Sequence, residues 1–185
     1  DGGILFHPNG NGLLRTSLAP VLRICLLTLL ASSWPAGAVT AQERIGVSRG
    51  TQAQPVRLDD LDGRPVDLGE LFGRRPVLLE FWALWCENCE ALTPQLVAAH
   101  EKYKDRLDFF AVAVGVGQNP SSIRRYLRRH PIPFPVLWDE QGAAVRAFMT
   151  PATSYIVIVD EEGRVAYTGI GRGQNVEAAI RGVIE

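Results

Sequence analysis

Cysteine is scarce in this chain, at three residues in 185. So few cannot staple a small disulfide-rich scaffold. With only three histidines beside them, and no second cysteine pair, they do not compose a zinc finger or ribbon. An excess of either charge is missing too. The 19 basic and 20 acidic residues leave a formal net charge of -1, so there is no basic surface for a polyanion and nucleic acid is not an expected partner. No internal repeat or low-complexity tract interrupts the chain after its N-terminal region. What remains is the balance of a soluble globular domain, 46% hydrophobic and 21% charged, in a length that allows one full core but not two.

The first 41 residues differ in character from the rest. Arg15 and Arg23 precede the uncharged apolar run Ile24-Cys25-Leu26-Leu27-Thr28-Leu29-Leu30-Ala31, and Ala36, Gly37 and Ala38 lead to Val39-Thr40-Ala41. A basic flank, a short apolar core and a small-x-small exit describe a secretory signal peptide, with cleavage expected after Ala41 and Ala38 as second choice. The alternative is an uncleaved N-terminal membrane anchor, although Pro35 and the small polar residues make 24–41 a poor bilayer span. Cys25 lies inside the apolar run, so loss of the leader leaves every cysteine in one C-x-x-C. Residues 42–54 are polar, contain Gly46 and Gly50, and read as a flexible tether to a domain over 55–185.

Within that domain, Val56-Arg57-Leu58 and Pro65-Val66-Asp67-Leu68 flank Asp62-Gly63, a hairpin signature. The apolar runs Val77–Trp82 and Leu107–Gly115 predict buried strands. Leu92, Leu96, Val97, Ala99 and Tyr103 recur at helical spacing over 87–104, with a bend expected at Pro94. Asn119-Pro120 offers a cap and a first-turn proline to a helix that stops before Pro131. A short helix over 143–148, strands at 155–159 and 165–168, and a helix over 175–184 close the chain. The order βαβα, then ββα, predicts an α/β domain with a central mixed sheet and helices on both faces.

The chemistry centres on Trp85-Cys86-Glu87-Asn88-Cys89. Two cysteines three apart at a helix start can close a small disulfide ring. Unpaired N–H groups and the helix dipole favour a thiolate at the first, whose pKa then falls from about 8.5 to about 7 or below. Cys86 is the expected nucleophile, and Cys89, one turn deeper, the group that resolves the mixed disulfide. A structural disulfide is the weaker reading, because so tight a loop constrains little chain entropy. Metal binding would need further ligands, and His100 and His130 have no second cysteine pair beside them. The arginines Arg124, Arg125, Arg128 and Arg129 could form a docking patch, though such runs are usually solvated helix faces.

The motif Phe81-Trp82-Ala83-Leu84-Trp85-Cys86-Glu87-Asn88-Cys89, with Pro94 five residues on, resembles the active-site strand, turn and helix of the thioredoxin superfamily, and within it the exported TlpA/ResA-like branch. Thr150-Pro151-Ala152-Thr153 resembles the family's cis-proline loop, and residues 58–68 its added hairpin. The resemblance implies a thioredoxin-like three-layer sandwich with an N-terminal β-hairpin, and dithiol exchange with no cofactor beyond a Cys86–Cys89 disulfide. It implies that Pro151 is cis and that Thr150 exposes its backbone to a substrate strand beside Cys86, with Trp85 shaping the substrate surface. Glu80 stands where thioredoxin has a buried acid, and would take the proton from Cys89 as general base. Two departures stand out. Asn88 replaces a common proline, and the chain from Phe148 to Pro151 is shorter than the family spacing.

These features predict an extracytoplasmic, periplasmic protein-disulfide oxidoreductase that acts as a monomer. Its partners would be disulfide-containing exported proteins, with cytochrome c maturation as one setting, and an upstream thiol electron donor. Glu87 places negative charge beside Cys86, which opposes thiolate formation and argues for a reductant. A peroxidase would need its cysteine in a P-x-x-x-[ST]-x-x-C setting, which residues 81–85 do not supply. The alternatives outside disulfide exchange are a copper or zinc carrier and a redox-silent interaction module of the same fold.

Overall fold

The protein is described here by a computed structural model over residues 46–185; the expected leader and its cleavage site lie outside the described residues. In the interior of the sheet runs β3 (Val77–Trp82), all six of whose residues are buried. Burial of each of its large apolar side chains contributes about 1.5–3 kcal/mol, which is why this run takes an interior place in the sheet. It pairs in parallel with β4 (Asp108–Val114) and antiparallel with β6 (Tyr155–Val159). With β1 (Arg57–Asp60), β2 (Pro65–Asp67), β5 (Val136–Asp139) and β7 (Val165–Ile170) these form a seven-stranded mixed sheet in the order β2-β1-β5-β4-β3-β6-β7.

The helices follow from the connections. α1 (Glu87–Tyr103) joins β3 to β4, and α2 (Pro120–Leu127) joins β4 to β5. Both parallel crossovers step the same way across the sheet, so their right-handedness puts both helices on one face. Trp82 packs there against Tyr126 of α2, ring centroids 5.6 Å apart. α4 (Val176–Ile184) lies beside α1, tied by Lys102 to Glu177 at 2.5 Å and by the Val176 N–H to Gln95 Oε1 at 3.4 Å. The other face carries α3 (Ala143–Ala147) and a 3₁₀ turn at Leu68–Glu70. Phe148 stands there between Phe72 and Phe81, at 6.2 and 5.9 Å. The three layers are those expected.

Local signals hold where their physics is local. The Asp60 carboxylate accepts from Asp62 and Arg64 N–H groups in the β1–β2 turn, and Gly63 supplies the positive φ of 81°. Asn119 caps α2 by accepting from Ser122 N–H at 3.0 Å, and Ser122 Oγ accepts in return from Asn119 N–H. Two expectations change. Val136–Asp139 is a strand, which the helix-then-short-helix reading of residues 119–148 left out. Pro131, Pro133 and Pro135 obscure it, and only parallel pairing with β4 and antiparallel pairing with β1 make four residues a strand. Residues 46–54 are not a free tether either. Val47 N–H donates to Phe148 O and to Tyr155 OH, Ala53 N–H donates to Gly163 O at 2.8 Å, and both side chains are buried.

Candidate active site

β3 ends at Trp82, and a short turn delivers Cys86 to the mouth of α1. Cys86 is the N-cap: its backbone is extended, and its Sγ accepts from the Cys89 N–H at 3.1 Å. A sulfur in that place takes up one of the unpaired donors of the first turn, the condition that stabilises a thiolate. Cys86 and Cys89 are joined as a disulfide with their Cα atoms 5.2 Å apart. Both cysteines are buried in this disulfide form, Cys86 at 8% exposure and Cys89 at 0%, so only the first residue of the pair keeps any surface. Behind the pair, Cys89 Sγ lies 4.0 Å from the Phe81 carbonyl oxygen.

Glu80 is 2% exposed, and its Oε1 is buried without a hydrogen-bond partner. Side chains alternate along a strand, so Glu80 points to the same face as Trp82, the face that carries α1 and hence Cys89. Desolvation pushes its carboxyl up to about 8. A carboxylic acid with that value exchanges a proton near neutral pH.

On the other side of the cysteines, the loop at 115–119 meets the turn. The Trp85 indole N–H donates to Val116 O at 2.8 Å, and the Leu84 N–H donates to Gln118 Oε1 at 3.0 Å. Nothing in the sequence marked Gln118 or Val116; a polar residue after a buried strand is ordinary, and only the fold brings the loop against the turn.

The Redoxin family model matches residues 48–183. The chain belongs to the Redoxin family. Among its relatives, the thioredoxin-like protein YneN of Bacillus subtilis is 29% identical over 161 residues, 86% of this chain and 92% of that one. The thiol-disulfide oxidoreductase ResA of Bacillus subtilis is 27% identical over 119 residues, 64% of this chain and 65% of that one, just under two thirds of its length. A Chlorobium tepidum structure, provisionally assigned as the thiol:disulfide interchange protein DsbE, superposes with a TM-score of 0.68 over 75% of this chain and 99% of that one. At 24% identity that likeness shows the fold. This redoxin is a thioredoxin-fold, TlpA/ResA-like thiol:disulfide oxidoreductase, the class that its active-site motif resembles.

The loop before β6 departs from expectation. Among the described residues of this redoxin no peptide bond is cis, so Pro151 is trans, and its side chain is exposed. Thr150 does not offer its N–H to a substrate strand, because that group donates to Val145 O at 2.9 Å and closes the end of α3. The chain turns here through two left-handed residues, Met149 (φ 48°) and Ser154 (φ 64°), with Pro151 in an ordinary trans bond between them. Ser154, not Pro151, immediately precedes β6. Its N–H donates to Phe81 O at 2.7 Å, the same oxygen that Cys89 Sγ approaches, and its hydroxyl is buried without a partner.

The remaining polar candidates stay away from the sulfurs. His100 packs between Phe109 and Phe134, eleven residues beyond Cys89 and so about 16 Å along the helix. His130 stacks on Tyr126 with ring centroids 4.4 Å apart. Of the arginines, Arg124 donates to Leu61 O and Arg128 to Arg124 O, and among the described residues none of the four forms an ion pair.

Proposed function

We propose that this redoxin is an extracytoplasmic reductant of disulfides in exported proteins, with cytochrome c maturation as its setting. The observation that carries the reading is the pair of unequal cysteines: Cys86 capping the helix at its mouth and keeping some surface, and a fully buried Cys89 already bonded to it. In the dithiol form, the Cys86 thiolate attacks one sulfur of a client disulfide. The client S–S bond breaks, a mixed disulfide forms, and one client sulfur leaves as a thiolate. Cys89 then loses its proton to Glu80 and attacks Cys86 Sγ. The mixed disulfide breaks, Cys86–Cys89 forms, and the client departs as a dithiol carrying the two electrons. An upstream dithiol donor restores the reduced pair. Glu87, exposed in the first turn beside Cys86, supports the reducing direction, because its charge opposes the thiolate and so destabilises the reduced form.

Two variants test the reading. Reduction of insulin by the full chain should disappear in Cys86→Ser, whereas Cys89→Ser should accumulate mixed disulfides with its clients in the cell envelope. Precursors of cytochrome c among the trapped proteins would support the maturation role, and a wide mixture would point to general reduction. Turnover independent of both cysteines, or stoichiometric copper or zinc on the reduced protein, would overturn it.

A further inference from the structure

The 115–119 loop is the part of the site that dithiol exchange leaves unused. Trp85 and Val116 are 48% and 65% exposed, and with Met149 they are the exposed large hydrophobic side chains among the described residues. Exposed apolar surface beside a reactive sulfur has a cost in water that a covering partner removes. The indole N–H of Trp85, the residue before Cys86, donates to the backbone O of Val116, which ties the loop carrying the exposed Val116 to the Cys86 turn. Behind it lies the half-buried Gln118. Its Oε1 accepts from Leu84 N–H at 3.0 Å, and its Nε2 donates to Val114 O at 2.7 Å. One amide thus satisfies a donor in the Cys86 turn and an acceptor at the end of β4, a double task that requires both a donor and an acceptor on one side chain. The loop itself is tightly wound. Val116 N–H donates to Val114 O at 2.8 Å, and Gly117 has φ 65° with room for a Cβ only 3.2 Å from Trp85 Nε1.

We propose that Gln118 is a positioning residue that buckles the Cys86 turn to the 115–119 loop, so that Trp85 and Val116 form an apolar lip for the side chain beside a client's cysteine. The inference rests on the disulfide-exchange reading above and adds how a client is chosen. The partner it fits is an extended protein segment with an aliphatic or aromatic residue next to its cysteine. A small disulfide such as oxidised glutathione presents nothing for the lip to hold.

Steady-state kinetics of the full chain test this, with insulin and oxidised glutathione as alternative substrates and dithiothreitol as electron donor. Gln118→Ala should raise KM for insulin about ten-fold with kcat changed by less than about two-fold, and affect glutathione less. The Trp85 indole N–H resonance should move in the same variant. Gln118→Glu, which keeps an oxygen for Leu84 N–H, should recover part of the loss. If Gln118→Ala does not fold, Val116→Ser, at an exposed position, should still raise KM for insulin several-fold. An unchanged KM for insulin in Val116→Ser or in folded Gln118→Ala overturns the proposal, as does an equal loss on both substrates or an unmoved Trp85 resonance. Absence of turnover in the unmodified protein would instead sink the oxidoreductase reading itself.

Discussion

Glu80 is an acid in the middle of a strand whose neighbours are all apolar, and its burial raises the carboxyl from 4.5 to about 8. The folded state therefore holds a proton that the unfolded chain releases. Between about pH 4.5 and about pH 8 the native state binds more protons, so this residue's contribution to stability falls as pH rises and levels off above about 8. The full cost is at most on the order of 5 kcal/mol. Glu80→Gln should thus match the unmodified protein in urea unfolding at pH 4 and exceed it at pH 9. A constant gap across that range would show that the carboxyl does not titrate there. In stopped-flow measurements of the resolving step, the rate should rise through about pH 8 in the unmodified protein, and the Gln variant should lose that rise. At this scale the sequence was informative where spacing sets position. Cys86 and Cys89 are where a helix start must put them, and the spacing between Glu80 and Trp82 already places both on one face. Pro151 was misread because its role depends on where the chain reverses, and that was decided by Met149 and Ser154.

At the scale of elements, the segment 46–54 is the clearest case of structure that composition disguised. Its glycines suggested freedom, yet Gly46 (φ 71°) lies so close to β6 that an added Cβ would sit 2.0 Å from the Tyr155 hydroxyl oxygen. Gly50 (φ 81°) has nothing within 4 Å of the same position. Both substitutions carry a left-handed penalty of about 1–2 kcal/mol, but only Gly46→Ala adds overpacking of about 1–3 kcal/mol. Thermal unfolding should therefore place Gly46→Ala below Gly50→Ala, and limited proteolysis should cut the segment sooner in the former. Equal melting temperatures would mean that the segment does not dock through Tyr155. The cap of α2 is a smaller, local matter: Asn119→Ala should cost about 1 kcal/mol in chemical denaturation. That cap was legible because donor and acceptor lie three residues apart, whereas β5 was not, because its partners, β4 and β1, come from distant stretches of chain.

For the molecule as a whole, redox state and stability are linked. In a reducing couple, the direction proposed above, the disulfide form is favoured over the dithiol form, and the bond between Cys86 and Cys89 is then expected to stabilise the fold. Reduction with dithiothreitol should lower Tm by about 4 °C or more, since 1 kcal/mol shifts a domain of this size by a few degrees. A rise on reduction would reverse the proposed direction of electron flow, as for an oxidant whose reduced form is the stable one. By itself the sequence determined the buried strand, the helix that follows it, the two sulfurs at their junction and the acid on the strand. All of these depend on contacts or periodicities within a few residues. The tertiary structure alone decided that residues 46–54 dock, that β5 joins β1 to β4, that Ser154 rather than the Pro151 loop backbone meets Phe81, and that Gln118 reaches the turn bearing Cys86. Each of these joins groups distant along the chain, and no local propensity specifies which distant groups will meet.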